Sequence, residues 1–176
     1  MSRKDCGFTL VEAVIVTAIA AITLALSLPS FNGALKRQQV ATTLHLLSAD
    51  MAMARSSALM RREQVVVCPG TADTGCAADS DWSRGWLVFA DADGNRQPDA
   101  SSDLLRVTDA PASARSGLRA KSTRPFLRYQ ASGMSAHSNL SVNVCLDGQL
   151  RGKVVVNRLG RVRGERPEAG TPCPGA

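Results

Sequence analysis

The chain has 176 residues, 44% hydrophobic and only 4% aromatic, with 21 Lys and Arg against 15 Asp and Glu, for a formal charge of +6. That length allows one soluble domain behind an anchoring segment. The basic excess raises the question of a polyanionic partner, which depends on where the charge sits.

Met1 to Cys6 reads as a short polar leader carrying Arg3, Lys4 and Asp5. Gly7-Phe8-Thr9-Leu10-Val11-Glu12 follows, and in the 21 residues from Phe8 to Leu28 the one ionisable group is Glu12. A helix needs about 20 apolar residues to cross the hydrocarbon core, so the pattern predicts a transmembrane helix over residues 8–28. A secretory signal fits poorly, because its apolar part is shorter and ends in a small-residue cleavage site. A carboxylate inside such a helix is costly and is expected to have a partner or a function.

Pro29 is expected to kink this helix without ending it, because helical periodicity resumes beyond it. Leu35, Leu44, Leu47, Met51, Ala54 and Ala58 recur at three-, four- or seven-residue spacings, with Val40 beside them. Residues 29–62 therefore read as an amphipathic continuation whose apolar stripe needs a sheet to cover it. Residues 63–176 read as a β-rich globular domain. Strands are expected at Gln64–Cys68, Gly85–Ala90, Leu104–Thr108, Phe126–Tyr129, Leu140–Leu146 and Gly152–Asn157, with turns at Gly133, Gly148 and Gly160. Ala110 to Arg124, rich in Ala, Ser, Pro and Arg, reads as a mobile loop. A long helix followed by antiparallel strands implies an α+β fold.

Of the five cysteines, Cys6 lies in the leader. Cys68, Cys76, Cys145 and Cys173 form an even set that suits disulfides beyond a membrane, with three possible connectivities. Proximity favours Cys68–Cys76, which leaves Cys145–Cys173 to staple the C-terminal tail to the domain. A zinc site is disfavoured: Cys68 and Cys76 lack CxxC spacing, and His45 and His137 are far from any cysteine in sequence. Asp91 to Asp99 resembles a calcium loop but lacks the glycine at the sixth and the glutamate at the twelfth position, so a polar turn between strands is the expectation. Ser135 and Ser138 beside His137 have no orienting acid or nucleophile elbow. No phosphate-binding Gly-rich loop precedes a helix. Neither an enzyme nor a cofactor or metal is expected.

The amino terminus resembles that of type IV pilins and pseudopilins. The resemblance implies that a prepilin peptidase cuts between Gly7 and Phe8 and methylates the new terminus. It also implies that Glu12 pairs with the terminal amine of a neighbouring pilin subunit, each charge answering the other in a low dielectric. Val67-Cys68-Pro69, Cys76, the segment Trp82-Ser83-Arg84-Gly85-Trp86 through Asp91, and Gly160-Arg161-Val162-Arg163 make the chain similar to the FimT/GspH branch of minor pilins. The implied fold is a long N-terminal helix packed on antiparallel sheets. The implied location is the inner membrane before assembly and a fibre afterwards.

The C-terminal charge pattern then narrows the function. From Gly148 to Arg166 there are six cations, Arg151, Lys153, Arg158, Arg161, Arg163 and Arg166, against Glu165, a net +5. The chain without its leader, which holds two cations and one anion, also carries +5. So concentrated a patch is the footprint of a polyanion binder. Arg161 and Arg163 would share one face of an extended segment. Gly160 and Gly164 would let the backbone approach a phosphate, and the Arg fork can grip phosphate oxygens in pairs. Gly160-Arg161-x-Arg163 also resembles the DNA-binding motif of FimT-type competence pilins. The expected function is non-specific capture of double-stranded DNA for natural transformation. The alternatives are a type II secretion pseudopilin and a minor pilin that primes assembly without touching DNA.

Overall fold

The computed structural model describes residues 9–111, 116–135 and 139–174, with backbone alone over 24–32. The expected cleavage site at Gly7 and Phe8, the leader, and His137 lie outside these residues. Among the described residues, a helix α1 (Leu10–Arg61, 52 residues) is followed by nine strands and two short 3-10 turns. The chain divides into two compact units, residues 1–37 and 38–176.

In the first unit, Thr9 Oγ1 accepts from the Glu12 backbone N–H at 3.3 Å, capping the start of α1. Leu10, Val11, Val14, Ile15, Val16, Ile19 and Ile22 are all exposed. Among the described residues no helix is long and apolar enough to cross a membrane. The segment predicted to span, 8–28, includes Phe8 and the side chains of 24–28, which are not among them. Helix α1 runs on through Pro29.

In the second unit, α1 buries Val40, Thr43, Leu47, Asp50, Met51, Ala54, Ser57 and Ala58, a stripe at three- and four-residue spacing. Leu35, predicted to belong to that stripe, falls in the first unit and is 47% exposed. Two antiparallel sheets complete the domain. The first has the order β2-β1-β3-β4, with β6 also pairing with β1; the second is β5-β7-β8-β9. The strands are β1 (Val65–Thr71), β2 (Gly75–Cys76), β3 (Gly85–Ala90), β4 (Leu104–Asp109), β5 (Leu118–Ser122), β6 (Leu127–Tyr129), β7 (Leu140–Leu146), β8 (Gln149–Val156) and β9 (Val162–Glu165).

The main core joins α1 to one face of both sheets: Val65, Val67, Trp86 and Val88 meet Val142, Val144, Val154 and Val156. The other face of β1 and β3 is also covered, where Val66, Cys68, Leu87 and Phe89 pack with Leu104 and Phe126. Burial on both sides explains why these two strands read as unbroken apolar runs. Gly152 sets the approach of α1 to β8, since a Cβ there would lie 2.5 Å from Leu44 Cδ1.

The Trp-Ser-Arg-Gly-Trp segment supplies both fully buried tryptophans. Trp86 Nε1 donates to Asp50 Oδ2 at 2.9 Å, and Thr108 Oγ1 donates to the same oxygen at 2.6 Å. Arg106 Nε lies 3.3 Å from the other carboxylate oxygen. A buried acid is thus fully answered, tying α1 to β3 and β4. Trp82 Nε1 donates to Ser122 Oγ at 2.7 Å, and Ser83 Oγ accepts from the Ala120 N–H at 2.8 Å, joining the turn Trp82–Arg84 to β5. Gly85 has φ +112° and no room for a Cβ, which would sit 2.5 Å from the Thr108 carbonyl oxygen.

Cys68–Cys76 and Cys145–Cys173 are disulfides spanning 8 and 28 residues, the pairings that proximity favoured. Loops of these lengths imply about 2–4 kcal/mol of stabilisation each, more for the longer. The tail beyond β9 is held at three points: Leu150 N–H donates to the Thr171 carbonyl at 2.9 Å, Cys173 N–H to that of Gly148 at 3.0 Å, and the second disulfide closes it. Asp91 to Asp99 forms a self-bonded turn: Asp93 accepts from the Asn95 N–H at 3.1 Å, Asn95 from the Gln97 N–H at 2.6 Å, and the buried Asp91 carboxylate holds Arg128 at 3.0 Å.

One expectation fails clearly. Leu118–Ser122, placed in a loop, is strand β5, paired with β7 from Leu118↔Leu146 to Ser122↔Val142. Leu118 and Ala120 are buried while Arg119 and Lys121 are exposed, an alternation carried by only two apolar residues and masked by the surrounding Ser, Ala and Arg. Of the predicted loop, residues 112–115 lie outside the described residues.

Candidate nucleic-acid interface

The basic segment folds as the hairpin of β8 and β9. Pairing runs from Val156↔Val162 to Lys153↔Glu165. Val154 and Val156 face the core, so Lys153 and Val155 lie on the opposite face with their partners Glu165 and Arg163, although Val155 is itself buried there. Arg151 is the unmatched residue of a register shift, since Val144 pairs with Gly152 and Cys145 with Leu150. Arg151, Arg158, Arg161, Arg163 and Arg166 are all exposed, and Lys153 is half-exposed.

The connecting loop is stiffly held. Asn157 Oδ1 accepts from the Arg161 N–H at 2.9 Å, Gly160 N–H donates to the Asn157 carbonyl at 2.8 Å, and Ser135 Oγ donates to that carbonyl at 3.0 Å. Arg55 on α1 supports the neighbouring turn through its bond to the Gly133 carbonyl at 3.1 Å. Tyr129 sits beneath, its hydroxyl reaching the Gly160 carbonyl at 3.5 Å. Burial pushes that phenol far above its ordinary range, so it stays a protonated donor.

Gly160 itself is buried, with φ +76°, and a Cβ would fall 2.1 Å from the Gly133 carbonyl oxygen. The expectation that its backbone meets a phosphate therefore gives way to a packing role: it lets the loop sit on Tyr129 and presents Arg158 and Arg161 outward. Gly160→Ala is expected to lower domain stability by on the order of 2 kcal/mol or more, from the left-handed backbone and the clash together, which thermal unfolding would register. Gly164, by contrast, is exposed with nothing near the position of a Cβ.

Glu165 is the acid of this patch, and it binds two of the six cations. Lys153 Nζ lies 2.7 Å from one carboxylate oxygen and Arg163 Nε 2.9 Å from the other. The Lys153 hydrogen bond, with help from Arg163, holds the Glu165 carboxyl below its ordinary value. Arg151, Arg158, Arg161 and Arg166 make no ion pair among the described residues. Sequence counting registered Glu165 as one negative charge but not as the clamp that orients Arg163. Sequence reading also missed Arg119 and Lys121, which β5 brings to the same outer face: Lys121 pairs with Asn143, Asn143 with Lys153, and Lys153 with Glu165.

A family profile described as type II transport protein GspH matches residues 43–160, about two thirds of the chain. The chain belongs to the GspH family. Residues 2–28 also match the prokaryotic N-terminal methylation motif. Among solved structures, the GspH-family fold seen here is similar to the type IV minor pilin FimU of Pseudomonas aeruginosa. That match has a TM-score of 0.60 and 20% identity, covering 75% of this chain and 95% of that one. It is also similar to the minor pseudopilin EpsH from the type 2 secretion system of Vibrio cholerae, with TM-scores of 0.52 and 0.54 in two structures. Identity there is 11% and 10%, over 74% and 76% of this chain and 98% and 97% of the other. No curated protein matches the chain. Membership of the GspH family makes the chain a minor pilin or pseudopilin, a structural component that associates with other subunits in a pilus or pseudopilus. The family profile ends at Gly160, so Arg161, Arg163 and the acid between Gly164 and Arg166 lie beyond what it describes.

Proposed function

We propose that this chain is a FimT-type minor pilin of a type IV pilus that captures extracellular double-stranded DNA for natural transformation. The observation that carries the reading is the β8–β9 hairpin, an exposed set of cations on a rigid backbone with one acid among them. Arg161 and Arg163 are the main contacts, Arg151, Lys153, Arg158 and Arg166 supply flanking charge, and Gly160 positions the loop. Contacts of this kind grip phosphates and read no sequence. With about three to five phosphates neutralised, affinity is modest and steeply salt-dependent, and several subunits on one fibre would add avidity. No aromatic lies within Gly148–Arg166, which argues against base stacking on a single strand.

The exposed apolar residues from Leu10 to Ile22 fit the remaining parts of the proposal. Prepilin peptidase cuts at Gly7–Phe8, the helix rests in the inner membrane, and Glu12 meets the terminal amine of a neighbour in the fibre. The protein works by binding, without catalysis or cofactor.

The test is genetic. A chromosomal Arg161→Ala/Arg163→Ala allele is expected to reduce transformation frequency by at least tenfold while pili still form. Normal transformation with a defect in type II secretion would assign the chain to a pseudopilus instead. Glu165→Gln offers a gain in the opposite direction: freeing Lys153 and Arg163 is expected to tighten DNA binding several-fold at low salt, read by fluorescence anisotropy. Weaker binding by that variant would mean that the clamp on Arg163 matters more than its charge.

A further inference from the structure

The outer face of the second sheet carries positive charge at both edges and little in between. On one side stand Arg119 and Lys121 of β5, both exposed. On the other stand Arg151 and Lys153 of β8 with Arg163 of β9. Between them β7 contributes Ser141 and Asn143, short, uncharged and half-buried, and the buried Cys145, opposite Arg119, whose disulfide to Cys173 brings the uncharged tail residues around Cys173 onto this face. The register fixes this order, because Lys121, Asn143, Lys153 and Glu165 form one row across the four strands. Neighbouring strands lie about 4.8 Å apart, which sets the β5 edge about 12 Å from the middle of the β8–β9 hairpin. The major groove of B-DNA is about 12 Å wide, and its two phosphate rows border it.

We propose that Arg119 and Lys121 form a second phosphate-binding rail, so that this face holds both strands of a duplex across one groove. The proposal rests on the DNA-capturing reading above and assigns its ligand class: a double helix gripped by two backbones, not a polyanion gripped by one. The β8–β9 rail alone serves either form of DNA. The β5 rail acts only when a second phosphate row lies at the right separation.

The experiment uses the full-length protein in neutral detergent, titrated with a labelled duplex and with a single strand of equal length over a series of salt concentrations. Arg119→Gln/Lys121→Gln keeps much of each side-chain stem and touches only exposed positions, and matching thermal unfolding confirms the fold. The expected result is a loss of about tenfold in duplex affinity and a fall of about two in the magnitude of the duplex salt slope, with single-strand affinity changed less than twofold. Arg119→Lys/Lys121→Arg is expected to restore duplex binding. Unchanged duplex binding in the glutamine variant, while Arg161→Ala/Arg163→Ala loses it, would overturn the second rail and leave the first. Equal losses for duplex and single strand would also overturn it, as general charge. Failure of the unsubstituted protein to bind either DNA would overturn the DNA reading and the rail together.

Discussion

Asp50→Ala is expected to destabilise the globular unit by about 3–5 kcal/mol, lowering its melting temperature by on the order of 10 °C. Asp50 is 3% exposed and accepts from Trp86 Nε1 and Thr108 Oγ1. Alanine leaves a buried indole N–H with no acceptor, and such an orphaned donor costs more than an average hydrogen bond contributes. The Arg106 component adds little, because that guanidinium is half-exposed and can rehydrate. Asp50→Asn keeps a carbonyl acceptor for Trp86 and is expected to lose less than half as much. Denaturant unfolding of the two variants side by side checks this. A loss below about 1 kcal/mol for alanine would mean that β3 and β4 are held to α1 by apolar packing alone.

Arg161→Ala/Arg163→Ala is expected to weaken binding to duplexes of any sequence by roughly ten- to a hundredfold and to reduce the salt slope by about two. The two residues are not equivalent. Arg163 already shares Glu165 with Lys153, while Arg161 makes no ion pair among the described residues. The Arg161→Ala single variant is therefore expected to lose more than Arg163→Ala. Neither change should unfold the hairpin, since the loop is held by the backbone groups and side chain of Asn157 and by Gly160. Equal binding by the double variant would remove this motif from the interface.

Much of the fold was legible because its signals were redundant. The helix combined period with length, β1 and β7 combined β-branched residues with bounding turns, β3 was a strongly apolar run, and the glycines at 133, 148 and 160 all adopt the positive φ that a turn asks for. Strand β5 was not legible. Its inward face consists of Leu118 and Ala120, too little apolar area to stand out from a Ser- and Arg-rich stretch. That one miss hid the β5 edge of the basic face, since Arg119 and Lys121 join the C-terminal cations only through pairing with β7. The cluster itself could be counted from the sequence, but the Glu165 clamp and the burial of Gly160 needed the hairpin register and the packing on Tyr129. Leu35 shares the spacing of the buried stripe, and spacing alone does not show that it belongs to the first unit.

Phosphate binding by the exposed cations of β8 and β9 is what the proposed function requires of this hairpin. It is tested most directly by the dependence of duplex affinity on salt, measured for the unsubstituted protein with two unrelated sequences. The prediction is one straight line of log affinity against log salt for both sequences, with a slope of about −3 to −5. Absence of binding at the lowest salt, or an affinity indifferent to salt, would contradict it and leave a minor pilin or pseudopilin whose basic hairpin faces something other than DNA.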